Sequence, residues 1–458
     1  MLRDYQARAV SGVQSAWQSH KAVLLVSPTG SGKTKTAVLG VMRPAVLRGQ
    51  NVLFVVQLRQ VVRQTGEALE QEGLPHGILM AGHKAKTATI QVASVQTLAA
   101  RQALDLPRFD LVVIDECQHA VADQYRKLLE RIRAKNPAVK VLGLSATPIR
   151  GDGKGLGVEA GGIFESLVLA VQPPELMRGG FLCPVVMYGV SPDDLGKLTV
   201  NPMTADYDEA QLSAMMRQSR LVGEAVEHYR QRADGTRCIV FCVDVAHTGV
   251  IANQYRAAGY KTAVTTAQTP HGERQRILQA FQSGEIKILV NCDVYTEGFD
   301  EPLIGCVQVL RPTRSLSRWL QAAGRGLRPI TPEYRHVLGQ KGIAVPSKPH
   351  VILLDHGGNV QRHGSPLDAR LWTLAGHDTS RAAQEKIEEQ NAARVIKCKC
   401  GALVMLTQKT CTACGEPVRK PEKPPASAVE VLQGKLVQLL TGNTALAPGA
   451  APTVTVIA

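Results

Sequence analysis

From residue 21 onward the chain alternates short unbroken apolar runs with longer stretches whose apolar residues recur every three or four positions. An unbroken run of branched residues suits a strand buried on both faces, and the longer spacing suits a helix with one buried stripe. The runs Val23–Val26, Val52–Val56, Ile90–Ser94, Leu111–Asp115 and Val139–Ser145 predict a first set of strands, with helical stretches such as Gln60–Glu72 and Ala122–Lys135 between some of them. A second block opens near Gln218, with strands expected at Cys238–Cys242, Lys261–Val264, Ile286–Asn291, Val307–Leu310 and Val351–Asp355. Such alternation predicts an α/β protein of two parallel-sheet lobes, residues 1–190 and 218–375, joined by a linker over 191–217. Gly151–Gly162 reads as a glycine-rich surface loop, and residues 331–350 as an insertion before the last strand. The pattern then breaks. Residues 376–424 hold a polar helix (Ser380–Arg394) and four clustered cysteines, and 425–458 form an Ala/Pro/Thr-rich tail expected to be largely disordered.

Composition narrows the partners. The 458 residues carry a formal charge of +14, which points to a polyanion, with nucleic acid favoured over a membrane surface; a merely solvated basic surface is the alternative. No run approaches the ~18 apolar residues of a membrane span, and the N-terminus lacks the apolar core of a signal peptide, so a soluble, cytoplasmic protein is expected. Aromatic residues make up 4% of the chain. That is sparse for a protein gripping single strands by base stacking, so contact with the sugar-phosphate backbone is expected.

Two motifs carry nucleotide chemistry. Ser27-Pro28-Thr29-Gly30-Ser31-Gly32-Lys33-Thr34 follows an apolar strand and opens a helix. Its backbone N–H groups suit phosphate oxygens, with Lys33 reaching the β/γ-phosphates and Thr34 holding Mg²⁺. Ser27 stands where the general motif has glycine. About 80 residues on, Leu111–Ile114 leads into Asp115 and Glu116. Asp115 is placed to bind Mg²⁺, and Glu116 to activate water as a general base. Ser145-Ala146-Thr147-Pro148 closes the next strand.

The ordered series LRDYQ, SPTGSGKT, VIDECQ, LSATP, TEGFD and QAAGRGLR resembles the superfamily 2 helicases and translocases over roughly residues 1–370. Within them it is most similar to bacterial and phage RadD-like helicases, by IVFCVDVAH, VNCDVYTEGFDEP and LLDHGGNVQRHG; UvsW-like, XPB-like and restriction-translocase relatives share much of the series. The resemblance implies two RecA-like lobes with ATP between them. It implies that Gln6 reads the adenine edge, that Arg325 and Arg328 reach the triphosphate from the second lobe, and that Gln321 senses the γ-phosphate or supports them. Three positions apart on a helical turn, the two arginines are expected to point the same way. By the same resemblance Thr296, Glu297 and Gly298, with Gln57, Arg59, Ser94, Gln96 and Thr97, touch nucleic acid; strand-end capping is the plain alternative for the last five. Relatives carry His where Gln118 stands, and an amide there is expected to bridge to the sixth motif with altered coupling.

Cys398, Cys400, Cys411 and Cys414 fall as two close pairs, ten residues apart. Four thiolates suit a structural Zn²⁺ in a zinc-ribbon-like module; free thiols or a disulfide are the alternative. The expectation is an ATP- and Mg²⁺-dependent motor on nucleic acid, DNA favoured over RNA, in repair, recombination or replication, with repair or recombination proteins as partners. An RNA helicase and a nucleotide-switched adaptor that does not unwind are the competing readings.

Overall fold

The computed structural model describes residues 1–57, 59–79, 88–101, 105–119, 123–150, 153–189, 198–201, 206–218, 221–292, 294–295, 301–376, 387 and 389–418. Its first sheet has seven parallel strands: β1 Ala22–Val26, β2 Val52–Val56, β3 His76–Leu79, β4 Ile90–Ser94, β5 Leu111–Ile114, β6 Lys140–Ser145 and β7 Ser166–Leu169, in the order β3-β4-β2-β5-β6-β1-β7. The expected strands are the inner ones. β1, β2, β4 and β5 are buried throughout, and covered on both faces they show as unbroken apolar runs. The two missed strands, β3 and β7, lie at the edges and are only partly buried, so they lack that signature.

The second sheet differs from expectation at its margins. β8 Val185–Gly189 belongs to it, pairing in parallel with β15 Val351–Asp355, so the chain enters the second lobe inside the span expected for the first. A short hairpin, β9 Val200–Asn201 and β10 Asp206–Tyr207, follows. β11 Cys238–Phe241, β12 Thr262–Thr265, β13 Ile288–Asn291 and β14 Cys306–Val309 complete the parallel set, in the order β12-β13-β11-β14-β15-β8. The cysteine region is not a detached module. Its strands β16 Val395–Lys397 and β17 Leu403–Met405 form an antiparallel hairpin, and Leu403 pairs with Met187 of β8. The segment expected as an insertion contains a helix, Pro332–Gln340, started by the Thr331 side chain capping Tyr334.

Because each sheet is parallel, its strand carboxyl ends collect along one edge, where open α/β sheets place their ligands. Val26, Val56, Ser94, Ile114 and Ser145 end there in the first lobe, and each first-lobe motif except LRDYQ, which precedes β1, stands at one of these ends. In the second lobe the helix Leu316–Gly324 is seated by Trp319, fully buried with its indole N–H donated to the Gly364 carbonyl at 3.2 Å. Trp319→Ala should lower the unfolding free energy by about 3–5 kcal/mol. Urea denaturation followed by circular dichroism measures it, and Trp319→Phe should lose less.

Candidate functional site

The phosphate loop runs from the end of β1 to a helix starting at Lys33. Gly30 and Gly32 hold φ of 85° and 80°, a left-handed backbone that glycine adopts without a side-chain penalty. The Ser27 departure has a physical account: its buried hydroxyl donates to Ser31 Oγ at 2.6 Å, bracing the loop from within. Pro28, Thr29, Gly30, Lys33 and Thr34 are half-buried, and Gly32 is exposed. Gln6 packs beneath the loop. Its Nε2 donates to the Ser31 carbonyl at 3.1 Å, its Oε1 accepts from Arg3 N at 3.0 Å, and the Tyr5 hydroxyl donates to the same Ser31 carbonyl at 2.7 Å. In this state Gln6 is 3% exposed and supports the loop.

Of the two carboxylates Glu116 approaches the loop, its Oε1 3.9 Å from Lys33 Nζ, and Asp115, directly after β5, is buried. Glu116 has φ of 45°, the one positive φ outside glycine among the described residues. Such a backbone persists only where its surroundings enforce it, and it is frequent at functional sites. Burial pushes the adjacent Cys117 thiol well up, with the Glu116 and Asp115 charges adding to the shift, so that sulfur stays protonated.

Gln118 works differently from expectation. Its Nε2 donates to Glu116 Oε2 at 2.9 Å and its Oε1 accepts from Ser145 Oγ at 2.7 Å, so the amide bridges to the end of β6 rather than to the sixth motif. Ser145 Oγ in turn accepts from Thr147 N at 3.1 Å, and Thr147 Oγ1 lies 2.7 Å from Ser317 Oγ in the second lobe. A chain of hydrogen bonds therefore runs from Glu116 across the lobes. Ser317 was missed from the sequence; its one signal is a small residue four positions before Gln321, on the helix that carries the sixth motif.

The sixth motif faces the loop. A Cβ built on Gly324 would lie 3.1 Å from Thr29 Cβ, and one on Gly30 would lie 2.9 Å from Leu182 Cδ2 and 3.5 Å from Arg328 Cγ. Gln321 and Arg325 are buried, but the helix ends at Gly324 with Arg325 as its cap. The two arginines thus do not share one helical turn: Arg328 follows the helix, and that places it over Gly30. Among the expected nucleic-acid contacts, Ser94 and Thr97 are buried and turned on each other, Ser94 Oγ accepting from Thr97 N at 3.2 Å to cap the helix Val95–Ala100. Gln96 stands exposed and Gln57 half-buried. Thr296, Glu297, Gly298 and the Arg59 side chain lie outside the described residues.

The four cysteine sulfurs lie within 4.8 Å of one another, with Cys398–Cys414 at 3.6 Å and Cys400–Cys411 at 3.7 Å. A tetrahedron of Zn–S bonds of about 2.3 Å has edges of about 3.8 Å, so the donor set and spacing fit one zinc. The Cys400 backbone N–H helps draw the Cys398 thiol down to about 7, which favours the ligating thiolate.

Comparison with known proteins accords with this geometry. The type III restriction enzyme res subunit model matches residues 1–150, and the helicase conserved C-terminal domain model matches 219–329. The chain belongs to the superfamily 2 helicases. A Saccharomyces cerevisiae protein named as an ATP-dependent helicase, IRC3, is 28% identical over 86% of this chain. The chain spans 61% of that relative's length. A 51.5 kDa protein of a Lactococcus phage is 27% identical over 87% of this chain and 79% of its own, and the DNA 3′-5′ translocase XPB2 of Sulfurisphaera tokodaii is 26% identical over 71% and 78%. The DNA-bound type ISP restriction-modification enzyme LlaBIII shares the fold, with a TM-score of 0.53 and 15% identity over 86% of this chain and 30% of that one. No helix among the described residues of this superfamily 2 chain is long and apolar enough to cross a membrane.

Metal removal tests the cysteine site. The protein as purified should carry one Zn²⁺ per chain by elemental analysis. Cys411→Ser should lose it, and with it the hydrogen-exchange protection of β16 and β17.

Proposed function

We propose that the protein is an ATP-driven translocase or helicase of the RadD-like kind, acting on DNA in repair, recombination or replication inside the cell. The observation that carries the reading is the approach of Gly324 and Arg328 to Thr29 and Gly30, which supports one nucleotide site shared by the two lobes. The Gly30–Thr34 backbone would hold the phosphates, while Lys33 would leave Glu116 for the β/γ oxygens. Thr34 and Asp115 would hold Mg²⁺, which offsets charge on the phosphate oxygens. Glu116, oriented by Gln118, would accept a proton from the attacking water as the water oxygen bonds to the γ-phosphorus and the bond from that phosphorus to the β–γ bridging oxygen breaks, leaving ADP and phosphate. Arg325 and Arg328 would stabilise charge on the transferring phosphoryl group. Gln6 would take up the adenine edge on leaving the loop, and Gln321 would support the arginines.

Closure of the lobes on ATP and their release after hydrolysis would then alternate the grip on the backbone at Gln57, Arg59, Gln96, the strand-to-helix junction at Ser94–Thr97 and Thr296–Gly298. The charge of +14 fits either nucleic acid; what supports DNA over RNA is the archaeal relative named as a DNA translocase. Structural Zn²⁺ at Cys398, Cys400, Cys411 and Cys414 would hold the hairpin on β8, and repair or recombination proteins are the expected partners.

ATP turnover across single-stranded DNA, duplex DNA, forks and RNA is the test. DNA should stimulate turnover at least several-fold more than RNA, and equal stimulation by RNA would overturn the substrate assignment. Glu116→Gln should lower DNA-stimulated turnover by about 10²–10⁴ while nucleotide binding persists.

A further inference from the structure

The glycine-rich stretch after β6 has no part in the nucleotide site, yet it is packed against chain from far away. After the helix Asn359–His363 closes the second lobe, residues 365–376 cross back to the first. The crossing segment is held firmly at its second-lobe end. There Arg370 donates to the His363 carbonyl at 3.1 Å and Leu367 packs against the second-lobe core, while bonds from Arg370 to the Ser365 and Asp368 carbonyls at 2.8 and 3.0 Å, and from Ser365 N to the Asp368 carboxylate at 2.9 Å, fold the segment on itself.

Its first-lobe end is held differently. The Gln172 side chain pairs with the Arg370 backbone as a strand residue would, Nε2 donating to the carbonyl at 2.8 Å and Oε1 accepting from N at 3.2 Å. Gly155 N then donates to the Ala375 carbonyl at 3.2 Å, Gly157 N to the Leu374 carbonyl at 2.9 Å, and Lys154 bridges Gly376. Trp372 and Leu374 lie half-buried against the first-lobe core, while Leu371 between them and Arg370 is 89% exposed. The glycines are required by close approach: a Cβ on Gly155 would sit 1.9 Å from the Leu374 carbonyl oxygen, and one on Gly157 would sit 2.8 Å from Leu374 Cβ.

The lobes are therefore tied where the chain passes from β7 to β8 and again where this segment docks on the first lobe, before the chain returns to β16 and β17 on the second sheet. The second join also walls the space between them. Asp368, Arg370 and Trp372 line a cavity with Pro28 and Thr29 of the phosphate loop, Thr147, and Gly324 of the sixth motif. The segment is continuous with the second lobe in the chain, whereas the first lobe holds it only through a few backbone bonds over bare glycines, the Gln172 side chain and two half-buried side chains, so it separates first from the first lobe.

We propose that residues 366–376 are a releasable strap whose hold on the Lys154–Gly157 loop limits how far the two lobes open, and thereby restrains nucleotide release. The effect on turnover rests on the ATP-driven reading above; the effect on lobe opening does not. Two variants of the full chain free the strap by different routes: Gly155→Ala by steric exclusion, and Trp372→Ala by removing its largest half-buried side chain. Limited proteolysis at 366–376 reports release of the strap. Small-angle scattering without nucleotide reports lobe separation, and release of a fluorescent ADP analogue reports the consequence.

Both variants should become sensitive to cleavage at the strap, show a larger radius of gyration, and release the analogue three- to ten-fold faster than the parent. Should Gly155→Ala fail to fold, Trp372→Ala decides. Unchanged scattering with a strap that proteases now cut would overturn the proposal, and so would a strap that stays protected in both variants. Wider lobes with unchanged ADP release would overturn its nucleotide clause alone. Absence of ATP hydrolysis by the parent protein would instead count against the proposed function.

Discussion

The arrangement depends on one close approach, that of the turn after Leu316–Gly324 to the phosphate loop. Gly324 meets Thr29 where a Cβ would already be tight, and Arg328 lies over Gly30 with Leu182 beside it. Only small residues on both sides allow the second lobe so near the phosphates. From that approach follows the sharing of one site: a loop that can hold a triphosphate sits in one sheet, and the cations that would complete it sit at the edge of the other.

The same approach organises the bonds around it. Glu116 is oriented by Gln118, and Gln118 by Ser145, whose hydroxyl also receives Thr147 N next to Ser317 of the second lobe. Leu182 reaches the loop because the chain is crossing between sheets there, and Cys183 N donates to the Leu327 carbonyl at 2.7 Å one residue before Arg328. Movement of either lobe is therefore felt at the carboxylate, at the loop and at the crossing together. The segment 366–376, bonded to Gly155, Gly157 and Gln172, adds a further tie between the lobes.

Much of this was legible in the residues, and the exceptions share a cause. Buried parallel strands such as Val52–Val56 show themselves as apolar runs, and the phosphate loop and Asp115–Glu116 stand where strand ends must put them. What escaped are features created by distant pairing. β3 and β7 are half-covered edges, β8 joins a sheet whose other strands come later in the chain, and the cysteine hairpin needs β8 as its platform. Arg325 and Arg328 were expected on one helical turn, but the helix stops at Gly324. The glycines at 155 and 157 read as a loose loop because the backbone they make room for lies more than 200 residues away.

A single comparison bears on the shared site most directly: ATP hydrolysis by Arg328→Ala, with the affinity for ATP measured on the same protein. The account predicts a fall in DNA-stimulated turnover of about 10³-fold or more with ATP binding held within a few-fold, because Arg328 would act on charge that develops only during transfer. Turnover near that of the parent, with binding intact, would contradict the claim that the two lobes build one catalytic site.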